Sequence, residues 1–404
     1  MTRYRGLTWD HPRGAAALKA REAGRAPGSD FGIDWEVHPL EGFESHPIAD
    51  LASQYDLIVL DHPHLGEALG TNALQPLDSL FDAAELQGWA AEAVGPSFSS
   101  YTLDGRQWAL PLDAATQVAA YRTDLLAGHA LPQTWSEVVD LSRAAPVALS
   151  LSGPHAFLTF ASLCVALGEE PALVPGEPFV SRSTAREALS ILRGIAARLP
   201  AGSDRQSPID LLERLADTDD IAYIPLVYGY VNYSSPLLRF TDAPRATPGG
   251  RCGSTIGGTG LALTARAEIT PELLEEAAWL LSPDAQQHFI PEHEGQPSSR
   301  AAWQDPRVDE SSHGFYSGTI DTIESAWVRP RGEGSIAFQS EASAIIRSLL
   351  VGVEPLGSVL DRLDAAGRAA TIAPAATIAP AATVAPAATH APAATHAPNE
   401  RVAR

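Results

Sequence analysis

Asp56–Leu60 reads DLIVL, an acid followed by four apolar residues in a row. A strand of that kind offers neither face to water. It has to lie inside a sheet covered on both sides, the usual setting of parallel strands in α/β folds. The preceding segments fit such a sheet. Arg5–Trp9 is a short strand signal, and Pro12–Gly24 is Ala-rich and helix-compatible. Ile33–His38 alternates apolar and polar through Ile33, Trp35 and Val37, and Pro47–Gln54 reads as a helix. Strand, helix, strand, helix, strand predicts a parallel, doubly wound sheet. Ligands of open α/β sheets bind beyond the carboxyl ends of the strands. Two strands here end in Trp9-Asp10-His11 and Asp61-His62-Pro63-His64. If they are neighbours, these groups face one crevice. As plain turn chemistry the same residues would be caps with proline at N1. Aspartate twice beside histidine exceeds what a cap requires.

The remainder keeps helices and strands mixed. Tyr101–Leu110 carries Asp104-Gly105 between apolar alternations, a hairpin signal. Thr184-Ala-Arg-Glu187 reads as a capping box opening a helix with Leu189, Leu192, Ile195 and Leu199 on one face. Ile221–Val227 and Ser254–Leu263 are strand candidates. Thr270-Pro271 and Ser282-Pro283 each open a helix. Thr319–Leu363 reads as helices broken near Pro330–Gly334 and Gly352–Pro355. From Thr371 the chain repeats TIAPAA with small changes, ending THAPAA, THAPNE. A proline every sixth residue forbids a continuous helix, and residues so small offer little to bury. Gly367–Arg404 is therefore expected to be a disordered tail outside the fold, and His390 and His396 within it are not read as a metal site.

Among 404 residues, 28 Lys+Arg stand against 49 Asp+Glu, a formal charge of −21. That balance argues against a nucleic-acid or anionic-membrane partner, because such binding depends on basic residues neutralising phosphates. Two cysteines, Cys164 and Cys252, cannot build a disulfide framework or a zinc site alone, and they read as unpaired core thiols. No apolar run is long enough for a transmembrane helix. Met1–Gly6 runs straight into Leu7, Thr8 and Trp9 without an apolar leader or cleavage site. The sequence as written is thus expected to stay in the cytoplasm. A missing leader would place the protein in the periplasm or outside the cell.

Several stretches together resemble the family 1 extracellular solute-binding proteins of ABC transporters, the maltose-binding-protein group. DLIVLDHPHLGEAL is similar to that family's third-strand segment. YTLDGRQWALPLDAATQVAAYRTDLL resembles the hairpin and first crossing between lobes, and TWSEVVDLSR the helix that follows. IAYIPLVYGYVNYS resembles a strand with aromatic cleft residues. GGTGLALTARA is similar to the strand that crosses back, and AAWLLSPDAQQHFIPEHEGQPSSRAAWQDP to a late helical block. The likeness covers roughly Arg5–Ala365. It implies a two-lobed α/β fold of the periplasmic-binding type. Residues 1–110 and 257–310 would form one lobe and 111–256 and 311–366 the other, with 367–404 as the tail. It implies a monomer that captures a small polar solute, with carbohydrate favoured, by hinge closure, working with ABC permease subunits and without membrane insertion. A cytoplasmic relative that binds a metabolite, or an enzyme built on the same fold, are the alternatives.

Candidate ligand-binding residues follow from chemistry and position. Trp9, Asp10, His11, Asp61, His62 and His64 come from the strand ends. Their spacing matches no zinc template, and with no nucleophile or cofactor loop beside them neither a metal, a cofactor nor a catalytic residue is assigned. Tyr228, Tyr230 and Tyr233 form an aromatic cluster suited to stacking on a sugar ring while bonding its hydroxyls. Trp108, Trp327 and Arg329 are weaker members of the same set, Arg329 suiting a carboxylate or other anion. Asp113 sits in the first crossing. Gly257, Gly258 and Thr259 precede an apolar strand rather than a helix, so they read as a hinge and not as a phosphate loop. Cys252 follows Arg251, which would lower the pKa of an exposed thiol.

Overall fold

Leu57–Leu60 is buried at all four positions and lies in the middle of a five-stranded sheet. A computed structural model describes residues 2–39 and 47–370, so the repeat from Thr371 onward lies outside the described residues. In that first sheet β1 (Thr2–Trp9) pairs in parallel with β2 (Phe31–His38) on one side and with β3 (Leu57–Leu60) on the other. Helices Pro12–Ala23 and Ile48–Ala52 make the connections, as the alternating pattern requires. The hairpin forms at Asp104-Gly105, both in the left-handed region, between β4 (Thr102–Leu103) and β5 (Arg106–Gln107).

The chain leaves the first sheet after β6 (Leu110–Pro111) and enters a second sheet as β7 (Ala115–Arg122). There β7 pairs antiparallel with β8 (Tyr223–Tyr228), β9 (Leu238–Thr241) and β10 (Ile256–Gly257). It returns as β11 (Gly260–Leu263), which lies antiparallel between β3 and β6, so the first sheet is mixed. Ser254–Leu263, expected as one strand, is thus two short strands in different sheets. The break is Gly258, with φ +90°, where a Cβ would stand 2.4 Å from the Asp113 carbonyl oxygen. Only glycine reaches that conformation without strain, and here it also lets the two crossovers touch. Each sheet carries its own helices, and the result is two α/β lobes joined by the Leu112–Ala114 and Gly258–Thr259 crossovers and by a third passage that leads from β11 back to the second-lobe helix Ser335–Leu350.

Three other expectations need adjustment. The helix assigned to the Thr184 capping box starts three residues earlier, with Ser181 in place of Thr184 as its cap and Arg182 as its first residue. The reason is a side chain twelve positions away: Glu169 accepts from the backbone N–H and Oγ of Ser181 and draws Thr184 into the same cluster, so Thr184 is already inside the helix. Ser282-Pro283 does open a helical segment, but Ala285–Phe289 winds as a π-helix. The last helix runs Leu356–Ala369, and a Cβ on Gly367 would meet the Phe179 backbone nitrogen at 2.7 Å. Gly367–Ala369 therefore belong to the fold and not to the tail. Cys164 and Cys252 are both free and buried. Burial pushes the Cys252 thiol up to about 11 and Asp242 adds to it, so the neighbouring arginine does not make it a nucleophile.

Alanine at Gly258 would combine a left-handed φ with overlap of a backbone oxygen, a strain of roughly 1–3 kcal/mol. Gly258→Ala should lower the midpoint of urea unfolding measurably. An unchanged midpoint would refute the requirement for glycine at this crossover.

Candidate functional site

The turn after β3 brings Asp61, Pro63 and His64 to the edge of the first lobe. Opposite them stand Tyr228 at the end of β8, His155 at the start of helix His155–Ala166, and Gln339 in the helix Ser335–Leu350. Arg329 completes this wall. It is placed by a strand-like segment in which Trp327 exchanges backbone hydrogen bonds with Ser254 and Ile256 beside β10. Between the lobes lies a cavity of ≈ 360 Å³, at the small end of ligand pockets. Leu158 and Ile336 supply apolar surface to it.

One ion pair crosses this cavity. Arg329 Nη2 donates to Asp61 Oδ2 at 2.6 Å, its Nη1 to Gln339 Oε1 at 3.0 Å, and its Nε to His62 Nε2 at 3.4 Å. Because His62 Nε2 accepts, its Nδ1 carries the proton, 3.0 Å from Asp61 Oδ1. Burial alone would push the Asp61 carboxyl up, but Arg329 and the imidazoles of His62 and His64 outweigh it and hold it well below the usual carboxylate range. Burial pushes His62 down to about 4 against the pull of Asp61. Burial, and after it Arg329, pushes His155 down to about 3. The cavity is therefore lined by the neutral His155 imidazole and one compensated ion pair, with the neutral His62 behind Asp61.

A second contact between lobes lies outside this cavity. Trp9 and His11 stack at 5.1 Å, and Tyr230 meets both rings edge-on at 6.2 Å and 5.2 Å. The Arg13 guanidinium lies over Tyr230 at 4.3 Å and over Trp9 at 5.2 Å. Arg13 pairs with Asp113 through Nε–Oδ2 at 2.7 Å and Nη2–Oδ1 at 3.1 Å, and its Nη1 donates to the Gly229 carbonyl at 2.9 Å. His11 is the cap of helix Pro12–Ala23, its Nδ1 accepting from the Arg13 backbone N–H.

The sequence-predicted residues thus fall into six groups. Asp61, His64, Tyr228 and Arg329 line the cavity. His62 stands fully buried behind Asp61, oriented by it and by Arg329. Trp9, His11, Tyr230 and Tyr233 pack on one another across the lobes, so Tyr230 and Tyr233 stack on the protein's own rings. Asp113, Gly257, Gly258 and Thr259 form the crossovers, where Asp113 Oδ1 accepts from the Thr259 N–H at 3.2 Å. Asp10 is exposed. Trp108 and Trp327 are core residues: Trp108 is buried with Leu7 and Ile58 and donates to the Leu103 carbonyl, and Trp327 packs in the second lobe's core. Sequence reading missed His155, Gln339 and Arg13. His155 carried a signal, a Gly-Pro-His start to an apolar helix. Arg13 stood next to the DHP segment, but nothing local marked it as a bridge. Among the described residues, no group of three or more His, Cys, Asp or Glu side chains is placed to share a metal, and no helix is long and apolar enough to cross a membrane.

Comparison with known proteins agrees with the two-lobed fold. Residues 32–163 match the family of the bacterial extracellular solute-binding proteins. No curated protein sequence matches the chain. Among solved structures, an ABC transporter solute-binding protein from Agrobacterium radiobacter K84 in complex with ribitol is similar at 20% identity and TM-score 0.74, covering 91% of this chain and 98% of its own. Maltose-bound MalE3 of T. maritima is similar at 17% identity and TM-score 0.74, covering 91% and 99%. A solute-binding protein from Agrobacterium vitis S4 with bound D-mannitol follows at 18% identity and TM-score 0.65, covering 90% and 97%. At these identities the likeness is one of fold, over both lobes.

A histidine kept neutral in the fold but ionising near 6.5 when unfolded makes stability fall with pH. Below about 6.5 the unfolded chain binds a proton that the native state refuses, so the contribution is complete above 6.5 and shrinks toward the folded value. For His155, with its folded value about 3, lowering pH from 7 to 5 should remove roughly 2 kcal/mol of apo stability. His155→Gln should show a correspondingly shallower decline. Equal pH slopes in chemical denaturation of the two proteins would refute the neutral, buried state of His155.

Proposed function

We propose that this bacterial extracellular solute-binding protein captures a small, polar, carbohydrate-like solute between its two lobes by hinge closure and presents it to an ABC permease. The observation that carries the proposal is the cavity of ≈ 360 Å³, walled by Asp61 and His64 from one lobe and by His155, Tyr228, Arg329 and Gln339 from the other. A solute held there touches both lobes at once, so its binding energy acts directly on the angle between them. The mixture of carboxylate, imidazole, phenol and amide suits hydroxyl groups, which both donate and accept. Tyr228 offers a ring to a sugar face, while Leu158 and Ile336 cover the less polar edge. The volume favours one or two sugar rings over a long oligosaccharide. Three of the structurally similar proteins carry ribitol, maltose or D-mannitol, which supports a polyhydroxylated solute.

The test is a thermal-shift and calorimetric panel of polyols, monosaccharides, disaccharides and their acids, with small-angle scattering on any binder. A binder should decrease the radius of gyration at saturation, and unchanged scattering would count against hinge closure. Two tyrosines then separate cavity wall from lobe contact. Tyr228→Ala should weaken the binder by about 2 kcal/mol, roughly thirtyfold, and leave the fold in place. Tyr230→Ala should instead destabilise the apo protein by about 3 kcal/mol, because its ring is buried against Trp9, His11 and Arg13. Wild-type affinity in Tyr228→Ala would remove that residue from the site.

A further inference from the structure

The two walls of the cavity differ in charge. Asp61 of the first lobe is engaged by Arg329 of the second, and the pair compensates itself. The second lobe adds something with no such compensation. Helices His155–Ala166 and Ser335–Leu350 both begin at the cavity: Pro154, His155 and Leu158 line it from one, Ile336, Gln339 and Ser340 from the other. Neither cap residue makes a side-chain hydrogen bond and neither helix has an acidic residue in its first turn; among the described residues, the only side-chain acceptor at either start is the uncharged Ser343 hydroxyl on the Phe157 N–H. Glu333 precedes the second helix, but it is exposed and its carboxylate lies toward Gly70, away from this wall. Each helix start carries about half a positive charge. Beside them His155 is 6% exposed, and its Nδ1 has no hydrogen-bond partner. A buried polar atom left in that state marks a place where a ligand or a water completes the site. Burial and Arg329 both disfavour a charge on His155. Its role is therefore that of a neutral hydrogen-bonding group, in a setting that a second cation would not enter.

We propose that the solute is a polyhydroxylated carboxylate, a sugar acid, whose carboxylate lies against the starts of helices His155–Ala166 and Ser335–Leu350 beside His155 and Arg329, with its hydroxyl-bearing carbons toward Asp61, His64 and Tyr228. The inference rests on solute capture in this cavity and names the class of solute. One negative charge matches what the two helix starts leave uncompensated, and Asp61 remains available to accept from hydroxyls. A neutral sugar would fill the volume but leave the second-lobe wall without a counter-charge.

The experiment compares matched pairs by calorimetry at fixed ionic strength: D-gluconate with D-glucose, D-galacturonate with D-galactose, and ribonate with ribitol. The acid should bind at least tenfold more tightly than its neutral partner in at least one pair. Gln339→Glu places a carboxylate in the first turns of the Ser335–Leu350 helix, next to Arg329, where the ligand's own would lie. It is compatible with a helix start, so the protein should fold, and the acid-to-neutral affinity ratio should drop at least tenfold. Equal or tighter binding of the neutral members, or a ratio unmoved by Gln339→Glu, overturns the acid assignment while leaving solute capture standing. If no polyol, sugar or acid binds at all, the capture proposal itself fails, and this inference with it.

Discussion

Everything at the junction of the lobes depends on Asp113. Its carboxylate takes a two-point ion pair from Arg13 and a backbone hydrogen bond from Thr259, so one side chain ties the first-lobe helix to both crossovers. Arg13 then reaches the second lobe through the Gly229 carbonyl. Both partners are almost fully buried. A pair in that position is favourable only with good geometry and with its remaining hydrogen-bonding capacity used, and here both conditions hold. Burial raises the Asp113 carboxyl and Arg13 opposes it, so the arginine is what makes a charged aspartate tolerable at the crossover. Removing either partner would leave an uncompensated charge between the sheets.

The aromatic cluster is best understood from that pair. Trp9 and Tyr230 lie against the buried Arg13 guanidinium, and His11 packs on both rings. Rings that look, in sequence, like a stacking wall for sugar therefore serve the contact between lobes. The cavity lies further along the same interface, where the ion pair between Asp61 and Arg329 crosses it. Both interlobe connections pair an acid with an arginine, but they differ in setting. The pair at the crossovers is sealed, while Asp61 keeps part of its surface at the cavity. A solute can thus compete for or extend the second pair without disturbing the first.

The second lobe's helices give the cavity its chemistry. Helix His155–Ala166 is buried along its whole length, which fixes where its first turn ends. Ser343, midway along Ser335–Leu350, donates to the Gly153 carbonyl and accepts from the Phe157 N–H, tying the start of the first helix to the middle of the second. The packing of two apolar helices therefore decides where two positive helix ends and one neutral imidazole stand. Core packing and ligand chemistry are one constraint here.

Much of the fold was legible in the sequence because it is decided between near neighbours. DLIVL had to be an inner strand, Asp104-Gly105 a tight turn and Thr270-Pro271 a helix start, and each is so for reasons contained within a few residues. Where a local reading failed, a distant side chain had intervened, as when Glu169 moved the cap of a helix from Thr184 to Ser181. The site was legible only in part. Strand ends pointed to Asp61 and His64, but residue type alone could not separate Tyr228, which lines the cavity, from Tyr230, two positions on, which packs under Arg13. Trp108 and Trp327 had the right chemistry and the wrong depth. The sequence by itself determined the alternation of elements, the buried strand and the turns, because hydrophobic period and backbone preference act over short stretches of chain. Only the tertiary structure decided that Arg329 meets Asp61 across 268 positions and Arg13 meets Asp113 across 100. Those meetings follow from the order in which strands enter two sheets, and strand order is a property of the whole packed chain.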